Sequence, residues 1–534
     1  MNNYSVLKAV LKIFCHSLSK FAVNTCFLLH NVVEYRQHLL FGQKYEERRK
    51  VCWRVKRALI LDDFKFLIRF VEGVLELAAL IAAFWLVCCV YGGQAFSPFK
   101  LNLLMAVYGG LVVAVFLLCD CFSYGHSKLA DMVVSQWIGV AIVNVLMYFV
   151  LCAVSGRMVR VWPVAEVLLI DLGLALACSY LYTAIYHKLY VPQNMLLIYS
   201  NENALDLKFK MDTRKDKYAI TEVISVNAPR QAICQAIARH DAVIINDIAG
   251  IKRNDVLKYC YENQIRTYVV PKISDIIITA AQDVTLFDTP LRLVKGRGLS
   301  LPQRIVKRTF DILLSLIALV VLSPFMLLTA LAIKLEDHGP VFYKQKRVTR
   351  DGKVFDILKF RSMIVDAEKG GYNLTMRAEG QDPRITKVGR FIRAIRMDEL
   401  PQLLNILRGE MSIVGPRPER VENVEAYSRE MPEWHYREKV KAGLTGYAQV
   451  YGKYNTSAYD KLRLDLMYIE NYSLMLDIKL IFMTVRILFS KEATEGFEKQ
   501  EEIRQYRKKM VKKLTRVQVA PGAVDEGFGY YKET

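Results

Sequence analysis

The spacing of apolar and polar positions changes character several times along the chain, and each change predicts a different kind of element. Four apolar runs, Phe66 to Tyr91, Leu101 to Phe122, Met132 to Val154 and Val161 to Tyr186, each come near the ~20 residues that a helix needs to cross a bilayer. From Asn194 the runs shorten to strand length, "NMLLIYS", "EVISVN", "DAVIIND" and "RTYVVP", separated by helical patterns. That rhythm predicts a small parallel α/β domain reaching roughly to Val294. A fifth long run, "FDILLSLIALVVLSPFMLLTALAI" from Phe310 to Ile333, follows "KGRGLSLPQR". Beyond it the chain is polar and its patterns are mainly helical.

Charge orients these segments. The cluster "KYEERRKVCWRVKR" before the first run belongs in the cytoplasm, and four crossings return the chain there at His187 and Lys188, with Arg157 and Arg160 on the outer loop a mild exception. The fifth run is different. Ser323-Pro324 interrupts its middle and removes a helix hydrogen bond, and both flanks are basic: Arg304, Lys307 and Arg308 before, Lys344, Lys346, Arg347 and Arg350 after. Both ends therefore favour the cytoplasm, which predicts a re-entrant helical hairpin in one leaflet, with a proline-kinked spanning helix as the simpler alternative.

Composition sharpens this picture. A hydrophobic share of 53% beside 24% charged residues means that apolar side chains are gathered into segments, and 534 residues exceed one ordinary core. A net charge of +20 suits anionic lipid, phosphorylated substrates or nucleic acid; the membrane runs favour the first two, and nucleic acid is not expected as a partner. The 11 cysteines form no CxxC pair, and Cys88, Cys89, Cys119, Cys152 and Cys178 lie in apolar runs, so they read as small buried hydrophobes. Glu72, Glu76, Glu166 and Asp171 lie within or near the spans, where acids mark either a proton or substrate path or a bundle interior. At the ends, "LKAVLKIFCHSLSKF" reads as an interface-lying helix rather than a signal peptide, and "RQYRKKMVKKLTR" as a basic run for anionic lipid or a solvated helix.

The unusual stretches crowd between Lys359 and Gln449: "KFRSM", "RMDELPQLLNIL", "MSIVGPRPER" and "AGLTGYAQV". Pro401 fits the first turn of a helix ending near Arg408 and Gly409, which sets Asp398 and Glu399 at or before its N-terminus. Such an end favours phosphate and ionised carboxylate, and Arg393 and Arg396 add positive charge. An ionised aspartate there can cap the helix, ligate magnesium or attack phosphorus. Arg417, fixed between Pro416 and Pro418, is suited to bidentate phosphate contacts, and Arg361 and Arg420 share its sign. Together these residues point to phosphoryl transfer with a divalent metal.

The order "KFRSM", "DELPQLLNIL", "SIVGPRP", with the Ser323-Pro324 step, resembles the bacterial sugar transferases known as polyprenyl-phosphate hexose-1-phosphate transferases, over about Gln303 to Ser490. The remainder is similar to the large members, which add four membrane helices and a degenerate Rossmann-like domain. The resemblance implies transfer of a sugar 1-phosphate from a nucleotide diphosphate sugar to undecaprenyl phosphate at the cytoplasmic face of the bacterial inner membrane. It also implies Asp398 as nucleophile, Glu399 assisting with Mg2+ or the lipid phosphate, and Arg361, Arg393, Arg396, Arg417 and Arg420 binding substrate phosphate. Two departures, "RAIRMDE" where a Ser or Thr often precedes the pair and Ala442-Gly443 in place of Pro-Gly, bear on the surrounding loop and sugar choice.

The expected fold is a membrane protein of mixed α and α/β class. Its parts are an N-terminal interfacial region (1–65), a four-helix transmembrane bundle (66–190), the degenerate α/β domain (191–298), a mainly helical catalytic domain (299–495) with re-entrant helix 310–333, and a basic tail (496–534). "LLIYSNENALDLKFK" has no glycine to let a pyrophosphate approach, so the α/β domain is expected to be structural or regulatory, with a homodimer contact as one role. Two other functions compete: a multi-pass transporter or sensor, supported by the intramembrane acids, and a sugar-nucleotide dehydratase or epimerase, which needs the missing glycine turn.

Overall fold

The computed structural model describes residues 46–92, 97–122, 129–189, 192–200, 205–212, 214, 217–365, 384–452, 456–488 and 505; the stretch "LKAVLKIFCHSLSKF" and all of the basic tail but 505 lie outside them. The chain forms two compact units, one ending at Val270 and one running Pro271–Tyr506.

In the first unit the four long apolar runs form helices α1 (Glu46–Gly92), α2 (Pro98–Leu118), α3 (Leu129–Ser155) and α4 (Val161–Leu189), each with a stretch long and apolar enough to cross a membrane. Ser97 starts α2 by accepting the Lys100 amide, with Pro98 in the first turn. Polar side chains lie between the helices. The Tyr108 hydroxyl (2.6 Å) and Asn144 Nδ2 (2.9 Å) both donate to Asp171 Oδ2, and Gln136 Nε2 donates to Glu76 Oε2 at 3.2 Å. Glu76 and Asp171 are buried there, whereas Glu72 and Glu166 are half-buried. The cysteines divide: Cys119 is buried, Cys88, Cys152 and Cys178 are half-buried, and Cys89 is exposed. Burial was not readable at these positions because helices that are apolar all round carry no stripe marking the packed face.

A four-stranded all-parallel sheet follows, in the order β2-β1-β3-β4, built from β1 (Gln193–Tyr199), β2 (Tyr218–Ser225), β3 (Ala242–Asn246) and β4 (Arg266–Val269). Helices α5 (Leu205–Asp212), α6 (Arg230–Arg239) and α7 (Gly250–Glu262) connect the strands. Side chains alternate across a strand, so Leu196, Ile198, Val243 and Ile245 meet Ile233, Ile237 and Val256 on one face, while Met195, Leu197, Ala242 and Ile244 pack with Leu207 and Met211 on the other.

The second unit begins with α8 (Ile273–Thr279) and an antiparallel hairpin, β5 (Gln282–Leu286) and β6 (Thr289–Leu293). Next come the long helix α9 (Leu301–Asp337) and a second antiparallel pair, β7 (Phe342–Val348) and β8 (Val354–Phe360). Helices α10 (Lys387–Ala394) and α11 (Gln402–Arg408), strand β9 (Ser412–Val414), α12 (Val421–Glu430), β10 (Gly443–Thr445), α13 (Tyr447–Tyr451), α14 (Ala458–Glu470) and α15 (Leu474–Leu488) complete it. Its core gathers Leu403, Ile406, Met411, Trp434, Leu462, Leu466 and Leu480, and takes in Ile273 and Ile276 of α8.

Helix α9 is 37 residues long and stays helical through Pro324 rather than forming two helices joined by a turn. Proline has no N–H for the carbonyl four residues back, Val320 O, but the Ser323 hydroxyl donates to that oxygen at 2.8 Å, so the break in the ladder is repaired locally. Both ends of α9 are fastened to the same unit. Near the start, Lys307 Nζ pairs with Asp477 Oδ2 at 2.6 Å, Arg308 donates to Ile406 O (2.5 Å) and Leu407 O (2.8 Å), and Asp311 Oδ1 accepts the Ile413 amide at 3.0 Å. At the far end Asp337 pairs with Arg361, and Glu336 accepts the Lys387 amide of α10 at 2.7 Å. Between these anchors Leu313, Leu316, Ile317, Val320, Val321, Leu327 and Leu328 are exposed.

Candidate active site

The acidic pair lies on a 3-10 turn, Met397–Glu399, between α10 and α11. Arg396 just before it adopts the left-handed conformation (φ 54°), which costs a non-glycine residue about 1–2 kcal/mol and turns the chain so that Asp398 and Glu399 lead into α11. The expected helix end is present, with Pro401 at its start and Gly409 (φ 87°) beyond Arg408. Several of its amides are already engaged. The amides of Glu399, Leu400, Leu403 and Leu404 donate to the carbonyls of Arg396, Met397, Leu400 and Pro401, so the 3-10 turn uses N–H groups that a phosphate needs.

Charged side chains supply what the amides do not. Glu399 Oε1 accepts from Lys359 Nζ at 2.9 Å and from Arg417 Nη2 at 3.0 Å, and Arg396 Nη1 stands 3.9 Å from Oε2. Burial alone pushes the Glu399 carboxyl up, but Arg417 and Lys359 outweigh it and hold the group well below the usual carboxylate range. Asp398 is in the opposite state. Burial and the adjacent Glu399 charge raise its pKa above the ordinary aspartate value, with Lys359 and Arg393 offsetting only part of the shift. The basic surroundings act on Asp398 less directly than on its neighbour: the close cations pair with Glu399. Among the described residues no cation lies within ion-pair distance of the Asp398 carboxylate.

The local sequence explains how Arg417 is aimed. In "SIVGPRP" and "AGLTGYAQV", β9 and β10 run parallel, and a Cβ on either Gly415 or Gly443 would collide with the backbone of the facing motif. The Gly415 amide donates to Thr445 O at 2.8 Å and the Gly443 amide to Pro416 O at 2.9 Å. Arg437, itself in a buried pair with Asp465 at 2.8 Å, donates to Arg417 O at 2.9 Å, and Arg347 donates to Pro418 O at 3.0 Å. The Arg417 backbone is thereby fixed on both sides, while its side chain remains partly exposed toward Glu399.

The arginines singled out in the sequence do not all converge. Arg417 and Arg396 meet Glu399, and the charge of Arg393, on an exposed side chain, acts on Asp398. Arg361 is buried and pairs with Asp337 at the end of α9, and Arg420 stands at the position before α12 without a side-chain cap and forms a backbone β-bridge with Arg347. Two residues were missed. Lys359, inside the "KFRSM" motif, is the second cation on Glu399, and its partner lies 40 positions away. Asn405 accepts the Leu358 amide at 2.9 Å and donates to Asp356 O at 2.8 Å, clamping the Lys359 strand to the helix that follows the acidic pair. A lone amide in the apolar "QLLNIL" was the available signal for it.

Residues 302–491 match a family model described as bacterial sugar transferase. A similar protein is the UDP-N-acetylgalactosamine-undecaprenyl-phosphate N-acetylgalactosaminephosphotransferase of Aeromonas hydrophila, 39% identical over 262 residues that make up 47% of this chain and 60% of that protein. Another is the UDP-glucose:undecaprenyl-phosphate glucose-1-phosphate transferase of Escherichia coli K12, 42% identical over 208 residues, 38% of this chain and 42% of that one. An exopolysaccharide production protein of Rhizobium leguminosarum bv. phaseoli is 42% identical over 191 residues, which cover 34% of this chain and 94% of the relative. The chain thus spans about half the length of the first two relatives and nearly all of the third.

Proposed function

The chain belongs to the bacterial sugar transferase family, and from that premise we propose that it transfers a sugar 1-phosphate from a nucleotide diphosphate sugar to undecaprenyl phosphate. UMP and undecaprenyl-diphosphate-sugar are the products, and the reaction is the initiating step of an exopolysaccharide, capsule or O-antigen. A UDP-hexose donor is favoured by the donors in the relatives' names. The observation that carries the reading is the unequal treatment of two adjacent carboxylates: Glu399 is held by Lys359 and Arg417, while Asp398 is left without a cation of its own among the described residues. A transporter or sensor reading rests on the first unit, whereas the family match begins at residue 302.

In this mechanism an Asp398 oxygen attacks the phosphorus that bears the sugar. The bond from that phosphorus to the bridging oxygen breaks, UMP departs with the electron pair, and a phosphosugar-aspartyl intermediate remains. An oxygen of undecaprenyl phosphate then attacks the same phosphorus and releases the Asp398 carboxylate. Arg417, Arg396 and Arg393 orient and neutralise the phosphates, Lys359 keeps Glu399 ionised and in place, and Arg361 and Arg420 support the scaffold.

A Mg2+ ion fits this donor set. Asp398 and Glu399 Oε2, the latter 3.9 Å from Arg396 Nη1 and without a hydrogen-bonding cation among the described residues, would hold the ion, and Mg2+ sites commonly use one or two carboxylates with substrate phosphates and water. When bound, the ion offsets phosphate charge as two anions meet.

The helices α1 to α4 are proposed to cross the inner membrane four times, with the catalytic unit on the cytoplasmic face. Helix α9 is proposed to be re-entrant. Its support is that residues at both ends, Lys307 and Arg308 at one and Glu336 and Asp337 at the other, hold the same compact unit, while the stretch between exposes leucine, isoleucine and valine. A homodimer remains the proposed role of the parallel sheet domain. The experiment for the reaction is mass spectrometry of full-length protein given a UDP-hexose without acceptor. A sugar-phosphate adduct on the peptide containing Asp398, with stoichiometric UMP, is expected. UMP release that requires the acceptor and leaves no adduct would replace the two-step route with direct transfer.

A further inference from the structure

At the start of α9, away from the acidic pair, lies a cavity of about 350 Å³. Its lining brings together Arg304, Lys307, Arg308, Arg350, Lys439 and Lys441, with Asp311 as its acid. Asp311 is already committed to Ser412 and the Ile413 amide, and Lys307 to Asp477. Arg350 lies beside Asp351, and Lys439 stands 3.8 Å from Glu470. Arg304 donates to Leu299 O and Arg308 to the carbonyls that end α11.

Lys441 has no hydrogen-bond or ion-pair partner among the described residues. A Cβ on Gly409 would lie 3.4 Å from Arg308 Nη2 and 3.5 Å from Lys441 Nζ, so the two cations face one small space. Burial, then the charges of Arg308 and Arg350, push the Lys441 pKa down, with Asp311 opposing. Like charges brought this close are costly unless an anion lies between them.

The cavity also meets the apolar surface of α9. Ile305 lines it, and Ile312 and Leu316, two and three turns onward on the same helical face, are exposed. An anion seated among the cations would therefore have hydrocarbon-compatible surface leading away from it. The acidic pair lies before the opposite end of α11, roughly 10 Å away by the rise of a seven-residue helix.

We propose that this cavity binds the phosphate of an anionic phospholipid, with Lys441, Arg308 and Arg350 on the phosphate and the acyl chains along Ile305, Ile312 and Leu316. A zwitterionic lipid fits less well, because its own ammonium is repelled by the same cations. The site is separate from the proposed substrate site, and the test reads lipid binding rather than turnover.

Full-length protein, delipidated in detergent, is titrated with dioleoyl phosphatidylglycerol or dioleoyl phosphatidylcholine and the bound lipid is read by native mass spectrometry. Saturable phosphatidylglycerol binding is expected, at least about tenfold tighter than phosphatidylcholine. Lys441→Gln and, independently, Arg350→Gln should weaken it by about tenfold or more, Lys441→Arg should restore it, and the control Arg429→Gln, which removes one exposed charge elsewhere, should not alter it. Millimolar inorganic phosphate or UMP should not displace the lipid. Lipid binding unchanged in both Lys441→Gln and Arg350→Gln would overturn the site. Displacement by phosphate or UMP in the parent, absent in Lys441→Gln, would overturn the lipid assignment in favour of a soluble anion.

Discussion

Carboxylates are buried in both units, but they are stabilised differently. In the helical bundle Asp171 is met by a tyrosine hydroxyl and an asparagine amide, both neutral donors. In the second unit Glu399 is met by a lysine and an arginine, Asp477 by Lys307 and Asp465 by Arg437. A neutral donor can fix the position of an acid between helices without a permanent charge beside it. At Glu399 the cations also hold the carboxyl below its usual range, whereas at Asp465 and Asp477 burial outweighs the paired cation and raises the pKa; Glu399 in turn acts on Asp398. The bundle acid Asp171 thus sits among neutral donors, whereas in the proposed site the charge of one carboxylate shifts the titration of the next.

The largest test of that contrast is Asp398→Asn. It preserves size but removes the nucleophile, so UMP release should fall at least about 10³-fold with the thermal midpoint of the protein nearly unchanged. Full activity in this variant would end the assignment. Arg417→Ala comes next: it leaves the Glu399 carboxylate with Lys359 and the more distant Arg396 and takes a guanidinium away from the proposed substrate phosphate, so turnover should fall about 10²-fold. If its only effect is a lower melting temperature, Arg417 is a structural partner and the contrast with the bundle weakens.

Glu399→Gln sharpens the electrostatic half of the contrast. In the proposed mechanism Asp398 attacks only when ionised, and its raised pKa places the acid limb of the rate profile above that of an ordinary aspartate. Removing the Glu399 charge lowers that pKa, so the residual activity, reduced about tenfold or more, should persist to lower pH than in the parent. An unmoved or upward-shifted acid limb, measured by UMP release across pH, contradicts the proposed coupling.

Much of the architecture was legible because it depends on short-range pattern. Strand-length apolar runs gave the parallel sheet, the four long runs became helices, and Pro401 and Gly409 bracketed α11 as expected. What depended on distant partners was not. No local rule links Lys359 to Glu399 or sends Arg361 to Asp337, since each pair is made by the folding of α9, β8 and the acidic turn onto one another. The left-handed Arg396 was equally hidden, because residue type gives arginine no preference for that conformation. The packing of Ile273 and Ile276 into the catalytic core likewise emerges only in three dimensions.

Two smaller effects complete the comparison. A fragment beginning at Pro271 keeps α8 and should retain turnover within about threefold of the full chain in detergent, given that removing a separate unit leaves the catalytic core intact. Complete inactivity in a folded fragment would make the first unit part of the machinery. Asp171→Asn keeps an acceptor oxygen for Tyr108 or Asn144, so transferase activity should change by less than about twofold, as neutral replacements of hydrogen-bonding groups often do. A large loss in that variant, with the protein still folded, would show that the bundle acid does more than pack helices.

The fastening of α9 at both ends has a kinetic consequence. Under the proposed function, with α9 re-entrant in one leaflet, the two substrates reach the second unit in spaces of different dimension: the nucleotide sugar through bulk solution, the polyprenyl acceptor by lateral diffusion in the plane. The rate should therefore follow the mole fraction of acceptor in the membrane, falling when inert lipid is added at constant total acceptor, while its response to the donor follows ordinary molar concentration.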